Sequence, residues 1–202
     1  MRENGIRAKA KRKFRRRERC RRSNFTKAPD RVQRRFNPNR INSIWAADLT
    51  LVSTREGWCY LAVLMDLCSR RIVAWAISNK QNTTLTKTVL LQALRARKPG
   101  QDLIHHSDQG SQYANHEYHA VLNKYGIKAS MGERKTCYDN AVVESFFHTL
   151  KMEKLYWYRI KTRKEAYRLV FDFIERFYNP RRLHSTLGFK SPIDYEKEMI
   201  LS

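Results

Sequence analysis

The stretch of residues 44 to 78 reads IWAADLTLVSTREGWCYLAVLMDLCSRRIVAWAIS. Its β-branched and aromatic residues fall into three runs, residues 44 to 52, Trp58 to Leu67 and Arg71 to Ser78. The first two runs are joined by Thr54-Arg55-Glu56-Gly57, which is typical of a turn. Successive strands with such short links pair in antiparallel fashion. The stretch therefore predicts an antiparallel meander of three strands.

Beyond the meander, the pattern alternates between helix and strand. Thr83 to Arg97 carries apolar residues at helical spacing and is stopped by Pro99-Gly100, and His116 to Tyr125 is a second helix capped by Gly126. The other predicted elements are strands at Leu103 to His106 and Ile127 to Ser130 and long helices at Asp139 to Tyr156 and Lys164 to Tyr178. The strand at Leu103 follows a helix, so we expect it to run parallel to the first strand. This order predicts an α/β fold with a mixed five-stranded sheet and helices on both faces.

The charge of the chain points to a polyanionic partner. Against 19 Asp+Glu the chain has 41 Lys+Arg, a net charge of +22, and nucleic acid is the first candidate. Residues 1 to 40 hold 17 Lys+Arg and 3 acids (net +14), whereas residues 41 to 202 hold 24 and 16 (net +8). We predict that residues 1 to 40 are an extended basic arm that binds DNA phosphates; a solvated or targeting-type tail is the alternative. Its DNA-contacting residues are predicted to be Arg12, Lys13, Arg15, Arg16, Arg17, Arg21 and Arg22.

Other sequence features exclude several classes of protein. No apolar stretch has the length of a signal peptide or a membrane span, so a cytoplasmic location is expected, at the nucleoid in a bacterium. The four cysteines, Cys20, Cys59, Cys68 and Cys137, are too scattered for a structural zinc site. Cys59 and Cys68 are predicted to be buried, reduced strand residues.

Three carboxylates stand in different predicted elements. Asp48 lies within the first strand, Asp108 follows a short strand, and Glu144 is in a helix. Strand alternation puts Asp48 on one face with Ala46 and Thr50, although Asp is depleted within strands. Each acid has a plainer reading: an edge-strand Asp that is solvated or paired with Arg, an Asp that caps a turn, and a solvated helix Glu. Together the three predict a magnesium site for phosphodiester chemistry.

Helical spacing places Glu144, His148 and Lys151 on one face of the third predicted helix. The apolar stripe that would pack on the sheet is formed by Val143, Phe146, Phe147 and Leu150. We expect Lys151 to hold a DNA phosphate beside the acids, with a structural salt bridge as the alternative. Asp139 is predicted to be the N-cap of this helix and not a metal ligand.

The spacing of the acids completes a family pattern. There are 60 positions from Asp48 to Asp108 and 35 residues between Asp108 and Glu144. The chain resembles the D,D(35)E arrangement of retroviral-integrase-like transposases, in particular the OrfB subunit of bacterial insertion sequences. The motifs that carry the resemblance, over about residues 40 to 196, are Trp45 to Asp48, Glu56 to Leu61, Asp66 to Val73, His105 to Gly110 with Tyr113, Cys137 to Glu144, Tyr178 to Gly188 and Ser191-Pro192.

The resemblance implies an RNase H-like fold and a reaction. Residues 41 to 160 would be the integrase catalytic core, and residues 161 to 202 its helical extension. The expected enzyme cleaves the 3′ end of a mobile element and joins the freed 3′-OH to target DNA, using two Mg²⁺ ions, with Mn²⁺ as a substitute. The ions would be held by Asp48, Asp108 and Glu144, with His106 and Asn140 as further site residues. Expected partners are the terminal repeats and target DNA, further copies of the chain, and a helix-turn-helix subunit or fusion from an upstream reading frame.

The chain departs from the family pattern at several positions. Ala47 replaces a usual Thr, Leu51 replaces a common aromatic, and Met131 to Thr136 replaces a segment that typically reads Ser-Arg-Lys-Gly-Asn. Met1 to Ile6 resembles the tail of a helix-turn-helix region, so the chain is expected to be truncated. Two rival functions stay open: an RNase H-like nuclease or junction resolvase, which could also use three carboxylates, and an inactive transposase fragment that only binds DNA, which the short N-terminus favours.

Overall fold

The predicted meander is confirmed in a computed structural model that describes residues 27–132 and 140–201. Its strands are β1 (Ile44–Thr54), β2 (Gly57–Asp66) and β3 (Ile72–Ser78). β2 pairs antiparallel with both β1 and β3, and its register against β3 shifts between Leu64 and Met65. The β1–β2 hairpin turns at Gly57, whose φ of 108° suits a residue without a side chain.

Two short strands extend the sheet beside β1. β4 (Ile104–Ser107) pairs parallel with β1, and β5 (Lys128–Met131) pairs parallel with β4, which confirms the predicted direction. The sheet order is β3-β2-β1-β4-β5. The crossovers are α1 (Thr83–Arg97), which has the predicted bounds, and α2 (His116–Lys124). β1 is therefore the central strand.

Alternation along β1 separates two hydrophobic cores. Ala46 and Val52 face α3 (Ala141–Glu153) and α4 (Arg163–Phe173). Trp45 and Ala47 face the opposite core, to which α1 and α2 contribute. Helices thus cover both faces of the sheet, as predicted. The predicted stripe of α3, Val143, Phe146, Phe147 and Leu150, is buried in the first core.

The C-terminal helices are shorter and more segmented than predicted. A single 3-10 turn, Leu155–Trp157, follows α3. α4 passes through a π-helical turn, Ile174–Tyr178, into α5 (Asn179–Arg181), and a 3-10 turn, Ser185–Leu187, precedes α6 (Pro192–Leu201). The amide of Asn179 bonds both backbone groups of Ile72, at 3.0 Å to its N–H and 3.1 Å to its carbonyl. The 3.6-residue periodicity of the sequence predicts a regular α-helix. It does not predict the π turn, which ends at this tertiary contact.

The described part of the predicted arm, residues 27–40, contacts the sheet. Val32 is 1% exposed, and the Arg31 N–H donates to Ser130 Oγ at 2.9 Å beside β5. Cys59 and Cys68 are buried free thiols, as predicted. None of the helices within residues 27–132 and 140–201 has the length and hydrophobicity of a membrane-spanning segment.

Candidate active site

Asp48 lies partly buried at the centre of the sheet, which contradicts the reading of an edge-strand residue. Burial raises the pKa of Asp48 to about 7, and the charges of Asp108 and Glu144 raise it as well. A hydrogen bond of 2.7 Å from the Leu49 N–H and the charge of Lys151 act in the opposite direction. Asp48 is thus a carboxylate held near two other acids, an arrangement that costs folding free energy and is typical of functional sites.

Asp108 reaches Asp48 through the parallel pairing of β1 and β4. Ala47 is opposite Ser107, so the next residue of each strand is one of the two acids. Asp108 is exposed, and its Oδ1 accepts a 3.0 Å hydrogen bond from the Gly110 N–H, as in the predicted turn. Asp108 can therefore cap the turn and still lie beside Asp48. The backbone pairing brings the first two acids together.

Gly110 provides space for the Asp108 carboxylate. A Cβ at position 110 would lie 2.8 Å from Asp108 Oδ1 and 2.3 Å from Gln112 Nε2, closer than carbon atoms approach such groups. Both atoms are ends of side chains, and since Asp108 is exposed whereas Gln112 is buried, the Asp108 carboxylate would move more readily than Gln112 or the backbone. Gly110 belongs to the quoted family motif, but its steric role was not foreseen from the sequence.

Glu144 projects from the first turn of α3 and is exposed. Partial burial raises its pKa. The start of α3 is tied to β1 because Asn140 Nδ2 donates to the Ala47 carbonyl at 3.1 Å, one residue before Asp48. Asn140 occupies the N-cap position without making a side-chain cap bond, and the predicted N-cap, Asp139, lies outside the described residues. This bond fixes the start of the helix that carries Glu144 against the residue that precedes Asp48.

The three carboxylates interact electrostatically but are not gathered into a finished metal cage. Within the described ranges, no three His, Cys, Asp or Glu side chains have the arrangement of a metal site. Like charges repel, and Asp48 carries the consequence in its raised pKa. The donor set nevertheless fits Mg²⁺, since hard carboxylate oxygens from separate elements are its usual protein ligands. A divalent cation would remove the repulsion between the acids.

Lys151 brings a positive charge to the same place. Its Nζ donates to Thr50 Oγ1 at 2.5 Å, and Thr50 lies two residues beyond Asp48 on the same face of β1. The lysine also lowers the pKa of Asp48. The contact with Thr50 was not foreseen, because it joins residues 101 positions apart.

The other predicted site residues have different surroundings. His106 is 1% exposed, and its Nδ1 lies 2.9 Å from Ser130 Oγ and 4.0 Å from Asp30 Oδ1. It therefore links β4, β5 and the N-terminal segment. His148 is exposed on α3. The predicted DNA contacts Arg12, Lys13, Arg15, Arg16, Arg17, Arg21 and Arg22 lie outside the described residues, as do Cys20 and Cys137.

Most of the chain matches known protein families. A family described as "Integrase core domain" matches residues 38–137, and a second family of the same description matches residues 125–192. The 31 kDa protein of insertion element IS600 from Shigella sonnei is 42% identical over 193 residues, which are 96% of this chain and 71% of that protein. The InsF transposase of insertion sequence IS3A from Escherichia coli K12 is 38% identical over 198 residues, 98% of this chain and 68% of that protein.

Solved integrase structures share the fold. The catalytic core domain of BIV integrase superposes with a TM-score of 0.59 at 19% identity, covering 79% of this chain and 97% of that domain. The catalytic core domain of HTLV-2 integrase, in complex with magnesium, gives a TM-score of 0.56 at 18% identity, covering 75% of this chain and 92% of that domain. The RNase H-like sheet with helices on both faces is therefore confirmed.

Proposed function

Because the chain belongs to the insertion-sequence transposases with an integrase core domain, we propose that Asp48, Asp108 and Glu144 form its catalytic centre. Such an enzyme is a polynucleotidyl transferase, which breaks and joins DNA phosphodiester bonds. The observation that carries the assignment is geometric: Ala47 pairs with Ser107, so Asp48 and Asp108 follow on neighbouring strands, and Asn140 ties the helix of Glu144 to the Ala47 carbonyl. The charges of Asp108 and Glu144 contribute to the raised pKa of Asp48, which supports the grouping of the three acids.

The three carboxylates would hold divalent metal, two Mg²⁺ ions by family resemblance, with Mn²⁺ as a substitute. The HTLV-2 integrase core of the same fold was solved with magnesium. When bound, the metal supplies activation of the attacking oxygen and stabilisation of the leaving oxygen. The protein's part is to keep its acids ionised and aligned: Gly110 leaves room for Asp108, and Asn140 aligns the helix that carries Glu144. Lys151 holds the substrate phosphate beside them.

The proposed reaction is cleavage at the 3′ ends of an insertion sequence followed by transfer of those ends to target DNA. The partners would be the element's terminal repeats, the target DNA, other copies of this chain and a helix-turn-helix subunit from an upstream reading frame. The reaction would take place at the bacterial nucleoid. The net charge of +22 supports binding to DNA.

A strand-transfer assay on labelled element ends, with Mg²⁺, tests the proposed function. Both cleaved and joined products are expected with Mg²⁺ or Mn²⁺, and neither product with EDTA. Cleavage without joining would favour the nuclease, and DNA binding without either product would favour the inactive fragment.

Lys151→Ala is expected to lower strand transfer by about ten- to a hundredfold. The substitution removes a positive charge that would stabilise the negative charge developing on the phosphate in the transition state. Lys151→Arg should restore part of the activity, because a guanidinium keeps the charge but contacts phosphate differently. Thr50→Val, which removes only the hydroxyl that Lys151 contacts, is the matched control and should cost less than Lys151→Ala. Melting temperature, DNA affinity and strand transfer are measured for all three. A large loss of stability with normal activity per folded molecule would make Lys151 a structural residue.

Gly110→Ala is expected to impair catalysis far more than stability, of which it should cost about 1 to 3 kcal/mol because the buried Gln112 must shift. The added methyl group displaces the Asp108 carboxylate, and a misplacement of about 1 Å can cost on the order of a hundredfold in rate. Gly100→Ala is the matched control, because a Cβ there meets no atom of the described residues within 4 Å. Strand transfer and thermal melting are compared for the two variants. Equal activity of both would show that the space at position 110 does not position Asp108.

A further inference from the structure

An open groove of about 610 Å³ begins at Lys151 and follows the end of β1. Its apolar floor contains Val52, Leu155 and Ile160, which are 2%, 5% and 6% exposed. We call it the aromatic groove, because the rings of Trp58, Tyr156 and Tyr158 line it. The groove is separate from the three acids but adjoins them through Lys151.

The charged residues that line the aromatic groove, within the part of the chain that the structure describes, are all cationic. They are Arg55, Lys151 and Arg159. Nearby acids are engaged elsewhere: Glu56 accepts from the Arg163 N–H at 2.9 Å, and Glu153 is paired with Arg182. The groove is thus complementary to an anion along its length.

The aromatic side chains of the groove are exposed to solvent and do not belong to the hydrophobic core. Trp58 is 57% exposed, Tyr156 55% and Tyr158 48%, although they surround an apolar floor. Exposed apolar patches with a polar rim mark binding sites. Rings between cations are the combination that binds single-stranded nucleic acid, where bases stack on the rings and phosphates meet the basic side chains.

We propose that the aromatic groove binds the unpaired nucleotides that adjoin the phosphate at the catalytic centre. The inference rests on the proposed function, because it gives the substrate strand a path away from Asp48. From Asp48 to Thr54 there are six residue steps of β1, or roughly 20 Å at about 3.3 Å per residue, and the groove takes up the last three steps, from Leu51. A stacked strand rises about 3.4 Å per nucleotide, so about six nucleotides reach from Asp48 to the far end of the groove and about three of them lie within it.

Unpaired DNA fits this surface better than two other occupants. A duplex presents phosphates and sugars at its surface, which would meet Arg55 and Arg159 but bring no base to stack on the exposed ring of Trp58. A second copy of this chain, with its net charge of +22, would bring further positive charge to a groove lined by three cations. Bases and phosphates of one open strand satisfy both the rings and the cations.

The test is binding of the full chain to fluorescent DNA in the absence of metal, measured by anisotropy. The probes are a blunt element-end duplex and the same duplex with a six-nucleotide single-stranded tail. We expect Trp58→Ala to weaken tailed DNA about tenfold, the equivalent of about 1.4 kcal/mol, with less than a twofold change for blunt DNA. Trp58→Phe should keep most of the affinity, because a ring remains.

Trp157→Ala is the matched control. Trp157 is 79% exposed but does not line the groove, and its indole donates to the Met152 carbonyl at 2.8 Å. It should bind both probes like the unaltered chain. An equal loss of affinity for both probes in Trp58→Ala, or no loss for either, would overturn the proposal. A change in the oligomeric state of that variant, measured by light scattering, with unchanged binding of tailed DNA would also overturn it. Because the assay contains no metal, normal binding of tailed DNA without strand transfer in Mg²⁺ would reject only the proposed function.

Discussion

Asp48→Asn, Asp108→Asn and Glu144→Gln are each expected to abolish DNA cleavage and DNA joining. Each change keeps the shape of the side chain but removes a charge that the metal requires. We expect a loss of about a thousandfold or more, equivalent to about 4 kcal/mol of transition-state stabilisation. Asp102→Asn is the control, because Asp102 is an exposed acid six positions before Asp108 with a side chain 71% exposed. Strand transfer near the normal rate in any of the three variants would remove that residue from the catalytic centre.

The Asp48→Asn variant should also affect the free energy of unfolding, in the opposite direction to its effect on catalysis. Asp48 has a higher pKa in the folded chain, about 7, than its ordinary value of 3.8. Folding therefore favours the protonated acid, and the cost of ionised Asp48 grows as pH rises from about 4 to about 7 and is complete above that. Asp48→Asn should stabilise the metal-free protein at pH 8 by roughly 1 to 3 kcal/mol, from about 1.4 kcal/mol per pKa unit reduced by partial exposure. The gain should be smaller at pH 4, and thermal melting at both pH values measures it.

Removing residues 1–26 is expected to weaken DNA binding broadly and to flatten its dependence on salt. These residues hold 12 Lys+Arg and 2 acids. Each phosphate contact contributes about 0.9 to the slope of log affinity against log salt, so the loss of six contacts would lower the slope by about 5. The deletion ends at residue 26 because Arg31 and Val32 contact the folded part of the chain.

Neutralising Arg15, Arg16 and Arg17 to Gln provides an intermediate case. The slope should fall by about 2 to 3 if all three contact phosphates. Affinity is measured between 50 and 200 mM salt on element-end DNA and on unrelated DNA, and equal losses on both are expected because phosphates carry no sequence information. A slope unchanged by the deletion would show that the arm does not bind phosphates.

The strands and helices of the core could be predicted because local patterns specify them. β1 to β3 follow from runs of β-branched and aromatic residues, and α1 was predicted with its correct bounds because Pro99 and Gly100 stop it. The end of α3 and the π turn after α4 were not predicted. Both depend on contacts with distant segments, such as the pairing of Asn179 with Ile72, which no local pattern contains.

The identity, order and spacing of the three candidate acids could be read from the residues alone, and so could the basic charge that favours a DNA partner. How the acids meet depends on the packing of the folded chain. Parallel pairing of Ala47 with Ser107 sets Asp48 beside Asp108, and the Asn140 contact with the Ala47 carbonyl brings in α3 with Glu144. The same packing exposes the rings of the aromatic groove next to Lys151. The physical reason is that local propensity selects helices and strands one segment at a time, whereas a site depends on strand register and helix packing between segments far apart in the chain.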